Sequence, residues 1–541
     1  MKNIFICAIC AVMSLIISSC NENLLDIPQR GVINSDEYYA TASDADARAL
    51  IAYIYKQIYQ ETGIDWVSMW PGLANDIPAS GGIYSNDNVN PQNHSGNGLY
   101  TSLYRINYLC SMIIEKMAED TEEKKNVKGE AFFWRAWANM YLTQIWGTPP
   151  LVDHVLADDE LKPANGDPAS LWNYVETSLQ EAISRLPSKP GIDGQAAIGG
   201  RVTKHSAYAL LGKAQLWKGD YAAAISSLET VIHSNLYGLI DDYSALYRPK
   251  SDFCREYVWE WNIEDSDQPN YNLEQDRRTL QLGWRLDFVQ MPGGIHIGFG
   301  EAANYTKNFY DFMIARGEKG KNRYVGTVWD YEDVLDRFIA LGEAATRTEA
   351  IGKFWWKQGL LSSSVGYMRG KMNTYKEDLF IYTADQDIFS KTNWPGMRYS
   401  EVLLNYAEAC VLSGQKITEG LAALNTVRTR AGLEALSSLN LQDVKDEKRA
   451  ELALEGDRYL DLIRWGDAAK ELAGRGAFTY TFLGYKAGTD PENGNPGDYN
   501  IETLPYAGIA QDFVTGRDEL FPFPYSEMLL NENLVQNPNW E

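Results

Sequence analysis

A mainly α fold is predicted: tetratricopeptide-like helix pairs forming a scaffold, packed against a loop-rich half with little β structure. Three observations predict it. Helical periodicity runs through about residues 41–235 and returns over about 396–473. Between Arg201 and Ile232, two helices rich in small residues are joined by a tight turn with the spacing of a tetratricopeptide unit. Over about 236–395, and again over about 474–525, the periodicity fades and Gly, Pro, Asn, Asp and aromatic residues dominate. Stretches this long outside regular elements are usually functional loops or an inserted subdomain.

The first element is an export signal. Lys2 precedes an apolar run from Ile4 to Ile17, then Ser18, Ser19 and Cys20. At about 14 residues the run is shorter than the ~20 that span a bilayer. Ile17-Ser18-Ser19-Cys20 resembles a bacterial lipobox, which implies residues 1–19 as a signal peptide and Cys20 as the lipid-bearing residue. Residues 20–40 then form a lipid-anchored tether and 41–541 the folded domain. No later segment is apolar for as long, so no transmembrane helix is expected, and the membrane is reached only through the lipid.

Ser43 to Gln60 reads as a helix, and Ile64 to Gly98 as a long structured loop. Leu99 to Met117 and Gly129 to Trp146 are helices, the second the most apolar in the chain, with Arg135, Asn139 and Thr143 forming one polar stripe. Gly147-Thr148-Pro149-Pro150 stops it. Pro168 to Leu186 follows. Ala207 to Trp217 and Tyr221 to Ile232 form the first clear pair, with Gly219 suited to close one helix and Asp220 to cap the next. Arg398 to Gly414 and Thr418 to Ala431 form a second, weaker pair.

The chain has 541 residues and a formal net charge of -24, a poor fit to nucleic acid, whose phosphates are held by Lys and Arg. Of six Cys, Cys7 and Cys10 leave with the signal. Cys110, Cys254 and Cys410 remain, too few and too scattered for a disulfide framework or a CxxC metal site, and Cys110 and Cys410 read as core. The five His show no ligand spacing, so no metal and no cofactor is expected. No GxSxG, complete P-loop or EF-hand loop is present. Glu451 and Glu455, followed by Arg458, Asp461 and Arg464, offer a carboxylate pair. The ordinary reading is an ion-pair ladder tying two helices together around Gly456.

Several blocks carry a resemblance. Gly129-Glu130-Ala131-Phe132-Phe133-Trp134-Arg135-Ala136-Trp137, running into Trp146-Gly147-Thr148-Pro149-Pro150, is similar to the SusD/RagB family. So are Arg201-Val202-Thr203-Lys204, the block Met397 to Ala409, and Leu424-Asn425-Thr426-Val427-Arg428-Thr429-Arg430-Ala431-Gly432. Lys448 to Trp465 resembles the family's strongest signature, with Lys448 where an acidic residue is usual. Phe523-Pro524 through Asn537-Pro538 resembles its closing motif. The blocks stand in the family's order.

The resemblance implies an outward-facing outer-membrane lipoprotein of Bacteroidota-type bacteria, four tetratricopeptide-type helix pairs, and a SusC-like TonB-dependent transporter as partner. It implies a non-catalytic protein that binds glycan, with peptide as the alternative ligand. A surface carboxylate hydrolase and a pure protein-interaction scaffold are the readings from other classes.

A sugar site needs aromatic faces for ring CH groups and amides or charged groups for hydroxyls. The family's loops point to Trp66, Trp70, Tyr84, Asn88, Asn90 and His94 in one segment and to Trp284, Arg285 and His296 in another. Trp66 and Trp70, four apart, could instead fill a core, and Trp134, Trp137 and Trp465 are assigned to packing.

Overall fold

The computed structural model describes residues 35–67, 69–77, 89–92, 95–263, 291–295, 304–354, 367–378, 392–475, 479–485, 499–505 and 512–540. The scaffold begins with α1 (Ser35–Ala40), α2 (Asp44–Val67), α3 (Met69–Leu73), α4 (Ser95–Lys116), α5 (Glu122–Trp146), α6 (Pro168–Arg185), α7 (Lys204–Lys218) and α8 (Tyr221–His233). It resumes with α13 (Tyr399–Ser413), α14 (Ile417–Ala431), α15 (Leu441–Glu451), α16 (Arg458–Trp465) and α17 (Ala468–Glu471). Between them lie β1 (Tyr257–Trp261), α9 (Lys307–Ala315), α10 (Asn322–Val325), β2 (Val328–Trp329), α11 (Tyr331–Ala340), α12 (Arg347–Phe354), β3 (Met368–Arg369) and β4 (Trp394–Arg398). The C-terminal part holds β5 (Thr479–Tyr485), β6 (Tyr499–Pro505) and α18 (Tyr525–Leu530). Among the described residues, the strands form three two-stranded antiparallel ribbons, β1–β4, β2–β3 and β5–β6.

Four helix pairs build the scaffold: α2 with α4, α5 with α6, α7 with α8, and α13 with α14. Each pair packs on the next, and α8 meets α13 although 165 residues lie between His233 at the end of α8 and Tyr399 at the start of α13.

 The loop-rich half is thus inserted in sequence between two helices that touch in space.

Local chemistry explains the boundaries. The first α7 turn is a capping box, with Thr203 accepting from the Ser206 amide and Ser206 Oγ from the Thr203 amide. Gly219 closes α7 in the left-handed region at φ 85°, and Asp220 caps α8 by accepting from Ala223 N at 3.2 Å, both as the sequence predicts. Such caps contribute about 1 kcal/mol each. α7 and α8 approach closely because Gly212 has no side chain: a Cβ there would lie 2.5 Å from Leu228 Cγ. Gly212→Ala should therefore destabilise by roughly 1–2 kcal/mol in urea unfolding, the overpacking exceeding the ~1 kcal/mol gained in helix propensity. An unchanged or raised midpoint would contradict this packing.

Three expectations are corrected. α2 runs on to Val67, α3 follows, and α4 starts at Ser95, so the segment read as loop from Ile64 carries helix at both ends. The Arg135, Asn139 and Thr143 stripe is buried, not a seam of its own: Asn139 donates to Asn107 Oδ1 at 2.7 Å and Arg135 to Ser178 Oγ at 3.2 Å, joining α5 to α4 and α6. Among its described residues the loop-rich half contains four short helices, α9 to α12, two of them capped by Thr306 and Asp330. Their short runs fall below the length at which sequence periodicity stands out. Cys110 and Cys410 are buried and unpaired by disulfide, as expected of core cysteines. No helix among the described residues is long and apolar enough to cross a membrane.

The two halves are joined by buried charge. α15 ends at Glu451, and the chain turns through Leu454 (φ 63°) and Gly456 (φ 100°) before α16. Glu451 and Glu455 therefore do not share a helix. Their partners come from far along the chain: Arg398 reaches Glu451 at 2.8 Å and Glu256 at 2.6 Å, and Arg430 reaches Glu451 at 2.5 Å and Glu256 at 2.9 Å. Arg323, from the loop-rich half, pairs with Glu318 and Glu447 at 2.5 Å each. Glu455 is held by Arg398 and Lys371. The ion-pair reading holds, but the ladder is tertiary; only Asp461–Arg464, at 2.6 Å, is a local i,i+3 pair.

Despite burial, Arg430, Arg398 and Arg323 draw the Glu451 carboxyl down to about 2, from an ordinary 4.5. A depressed carboxyl contributes stability that is complete above its unfolded value and is lost as pH falls toward its folded value. The contribution of Glu451 to the urea midpoint, read as the difference from Glu451→Gln, should hold down to about pH 5 and be lost between 4.5 and 2. A difference unchanged across that window would show that the network contributes no pH-linked stability.

Candidate functional site

The structure separates the residues chosen from sequence. Trp70 is 1% exposed; its ring stacks on Tyr459 at 6.0 Å between centroids and leans on Phe521 at 5.5 Å. All five residues of α3 are buried, so Trp70 is a core residue and not an open platform, which corrects the sequence expectation. Asn90 is half-buried and its Oδ1 accepts from Gln92 N at 3.1 Å, a local turn. Trp66 lies on the α2 backbone, with its side chain outside the described residues. Tyr84, Asn88, His94, Trp284, Arg285 and His296 lie outside the described residues, as does Cys20.

Two half-buried tryptophans, Trp261 and Trp394, meet at one end of the β1–β4 ribbon. Tyr257-Val258-Trp259-Glu260 is buried throughout, the register shifts on both sides of Trp259, and Trp261 pairs with Trp394. The ribbon can press this close because residue 396 is glycine: a Cβ there would lie 2.0 Å from Trp259 Nε1. Trp261 stacks on Trp134 at 6.0 Å, Trp394 packs on Tyr247 at 5.3 Å, and Trp137 packs on Tyr141 at 4.9 Å.

Trp137, Tyr141, Tyr247, Trp261 and Trp394 line a cavity of about 590 Å³, the open solvent at its mouth included. Trp137 is buried and structural, as predicted, yet it also borders this space. The floor is charged. Lys213 Nζ lies 2.9 Å from both Glu401 Oε1 and Asp457 Oδ2, and these carboxylates outweigh burial and hold its ammonium well above the usual lysine range. Glu455 completes the floor. Glu401, Asp457 and Glu455 are each paired with a buried cation, although burial outweighs Lys213 and pushes the Glu401 carboxyl up to about 7. The Glu451 and Glu455 pair is ionised and engaged, which suits structure and not proton transfer.

Behind the rim, Asn393 ties the ribbon end together. Its side-chain oxygen accepts from Ile263 N at 2.8 Å, its main-chain N donates to Asp252 Oδ1 at 3.1 Å, and its Nδ2 donates to Glu260 Oε2 at 3.3 Å. Sequence reading missed Trp261 and Trp394, which stand 133 residues apart. The Trp-Glu-Trp alternation at 259–261 was the available signal, a period-2 pattern inside a region read as loop.

Two family models match the chain: one described as the SusD family, over residues 358–540, and one described as starch-binding and associating with the outer membrane, over residues 34–216. A SusD-like protein of Bacteroides ovatus is 22% identical over 490 residues, covering 84% of this chain and 81% of the relative. The starch-binding protein SusD of Bacteroides thetaiotaomicron is 26% identical over 369 residues, covering 63% of this chain and 64% of its own. Among solved structures, a laminarin-binding SusD-like protein superposes with a TM-score of 0.69 at 22% identity, over 92% of this chain and 99% of that one. A SusD-like protein from Bacteroides fragilis gives 0.71 at 19% identity, over 92% and 97%. The two family models together match 366 of the 541 residues, and the chain belongs to the SusD/RagB family.

Proposed function

We propose that this protein is a glycan-capturing lipoprotein of the outer membrane. In this reading a lipid on Cys20 anchors it at the cell surface, and a SusC-like TonB-dependent transporter receives the glycan. The observation that carries the reading is the Trp261–Trp394 pair, two half-buried indoles in register at the mouth of an aromatic cavity. Indole faces suit the CH faces of sugar rings and give contact area at small entropic cost. The saturated charges of the described floor favour binding over chemistry. Relatives named for binding starch or laminarin support the ligand class.

Titration calorimetry of the purified protein against starch, laminarin and other neutral polysaccharides, with a peptide mixture in parallel, tests this. Saturable binding of a polysaccharide without turnover is the expected result. Binding of peptides alone would replace glycan with peptide, and steady release of reducing ends would make the protein an enzyme. A mild-detergent pull-down from the native membrane tests the partner, and a stoichiometric TonB-dependent barrel is expected.

A further inference from the structure

The aromatic cavity is short of hydrogen-bond donors. Its described lining holds three carboxylates, Glu401, Glu455 and Asp457, and one cation, Lys213. An ammonium has three protons and accepts nothing. Lys213 Nζ meets three acceptors at once: Asp457 Oδ1 at 3.0 Å, Asp457 Oδ2 at 2.9 Å and Glu401 Oε1 at 2.9 Å. Glu455 is held from behind by Lys371 and Arg398, which stand outside the lining. Lys371 gives its other protons to Glu451 O at 3.2 Å and Ala453 O at 2.8 Å. The described lining therefore has no cationic proton free for a ligand.

Glu401 is the opposite case. It is 5% exposed, and only one of its oxygens is engaged. Oε1 also accepts from Asn405 Nδ2 at 3.4 Å, whereas Oε2 accepts from no described residue. A buried acceptor left unbonded is costly, and burial is the main cause that lifts this carboxyl. A hydroxyl donated by a ligand would supply the missing bond.

On the glycan reading, we infer that the cavity takes uncharged, hydroxyl-bearing sugar and refuses sugar that carries carboxylate or sulfate, with Glu401 as the residue that decides. A sugar hydroxyl donates to Oε2 while the ring lies against the indoles of Trp261 and Trp394. A ligand carboxylate or sulfate has no proton to donate there and meets no open cation. It also adds a like charge beside Asp457 and Glu455. Unpaired like charge is one way a site rejects the wrong partner.

Laminarin and starch, each beside its sulfated derivative, are titrated calorimetrically into the full-length protein. Work at about pH 8 keeps Glu401 ionised, and roughly 0.5 M salt screens the diffuse repulsion of a net charge of -24. A neutral glucan should bind at least about tenfold more tightly than its sulfated form. Glu401→Gln should cut that ratio to about threefold or less, whereas a general fold defect lowers both affinities and leaves the ratio. If Glu401→Gln does not fold, Asp457→Asn, which removes a neighbouring charge, carries the test. Equal affinity for the sulfated form would overturn the inference and leave glycan capture standing. So would a ratio unchanged in the folded variant, which would report the bulk of the sulfate groups. No binding of any neutral polysaccharide, laminarin and starch included, would overturn the glycan reading and this inference together.

Discussion

Arg398→Ala is expected to be the most damaging single change in the protein. The guanidinium is fully buried and bonds Glu256, Glu451 and Glu455 together. Removing it leaves these carboxylates short of a partner in the interior, where Arg430, Arg323 and Lys371 remain to answer them. Breaking a buried pair on one side costs about 3–5 kcal/mol, a large share of the ~5–15 kcal/mol of a typical domain. Urea unfolding followed by circular dichroism measures this. Arg398→Lys should fall between wild type and alanine, because it keeps the charge but loses the planar guanidinium, whose Nη1 meets Glu256 and Glu451 while Nε and Nη2 hold Glu455. Limited proteolysis adds location: the loop-rich half should be cut before the scaffold, since Glu256 and Arg398 bracket its attachment. An alanine variant within about 1 kcal/mol of wild type would mean that apolar packing, not this network, holds the halves together.

The second large effect concerns ligand. The Trp261→Ala/Trp394→Ala double variant should lose about 2 kcal/mol or more of polysaccharide affinity, roughly thirtyfold, as for buried aromatic anchors at other interfaces. Trp394→Ala alone should lose part of this with the smaller structural cost, because Trp261 also stacks on Trp134 in the core. Circular dichroism confirms that the variants fold before affinity is compared. Undiminished affinity in a folded double variant would move the site to the segments carrying Tyr84 and Trp284. Tyr84→Ala and Trp284→Ala, assayed beside it, decide that alternative.

What the sequence carried well was local. Gly219 and Asp220 sit where left-handed backbone and an N-cap are needed, because those preferences reside in single residues. The apolar run of α5 and the small residues of α7 read as helix for the same reason. Trp70 shows the limit. Its chemistry suits a sugar platform equally well in a loop or in a core, and its burial against Tyr459 and Phe521 depends on residues about 390 and 450 positions away.

Sequence by itself determined the helical class, the caps, the export signal as an expectation, and the ordered blocks of the SusD/RagB family. These follow from short-range periodicity and backbone preference, which a window of a few residues contains. The tertiary structure alone decided that Glu451 and Glu455 belong to a network of distant arginines, that Trp70 is interior, and that Trp261 meets Trp394 at a cavity mouth. Each of those facts is a contact between residues far apart in the chain, and the physical forces that select it, burial and charge pairing, act on distance in space and leave no periodic trace in the sequence.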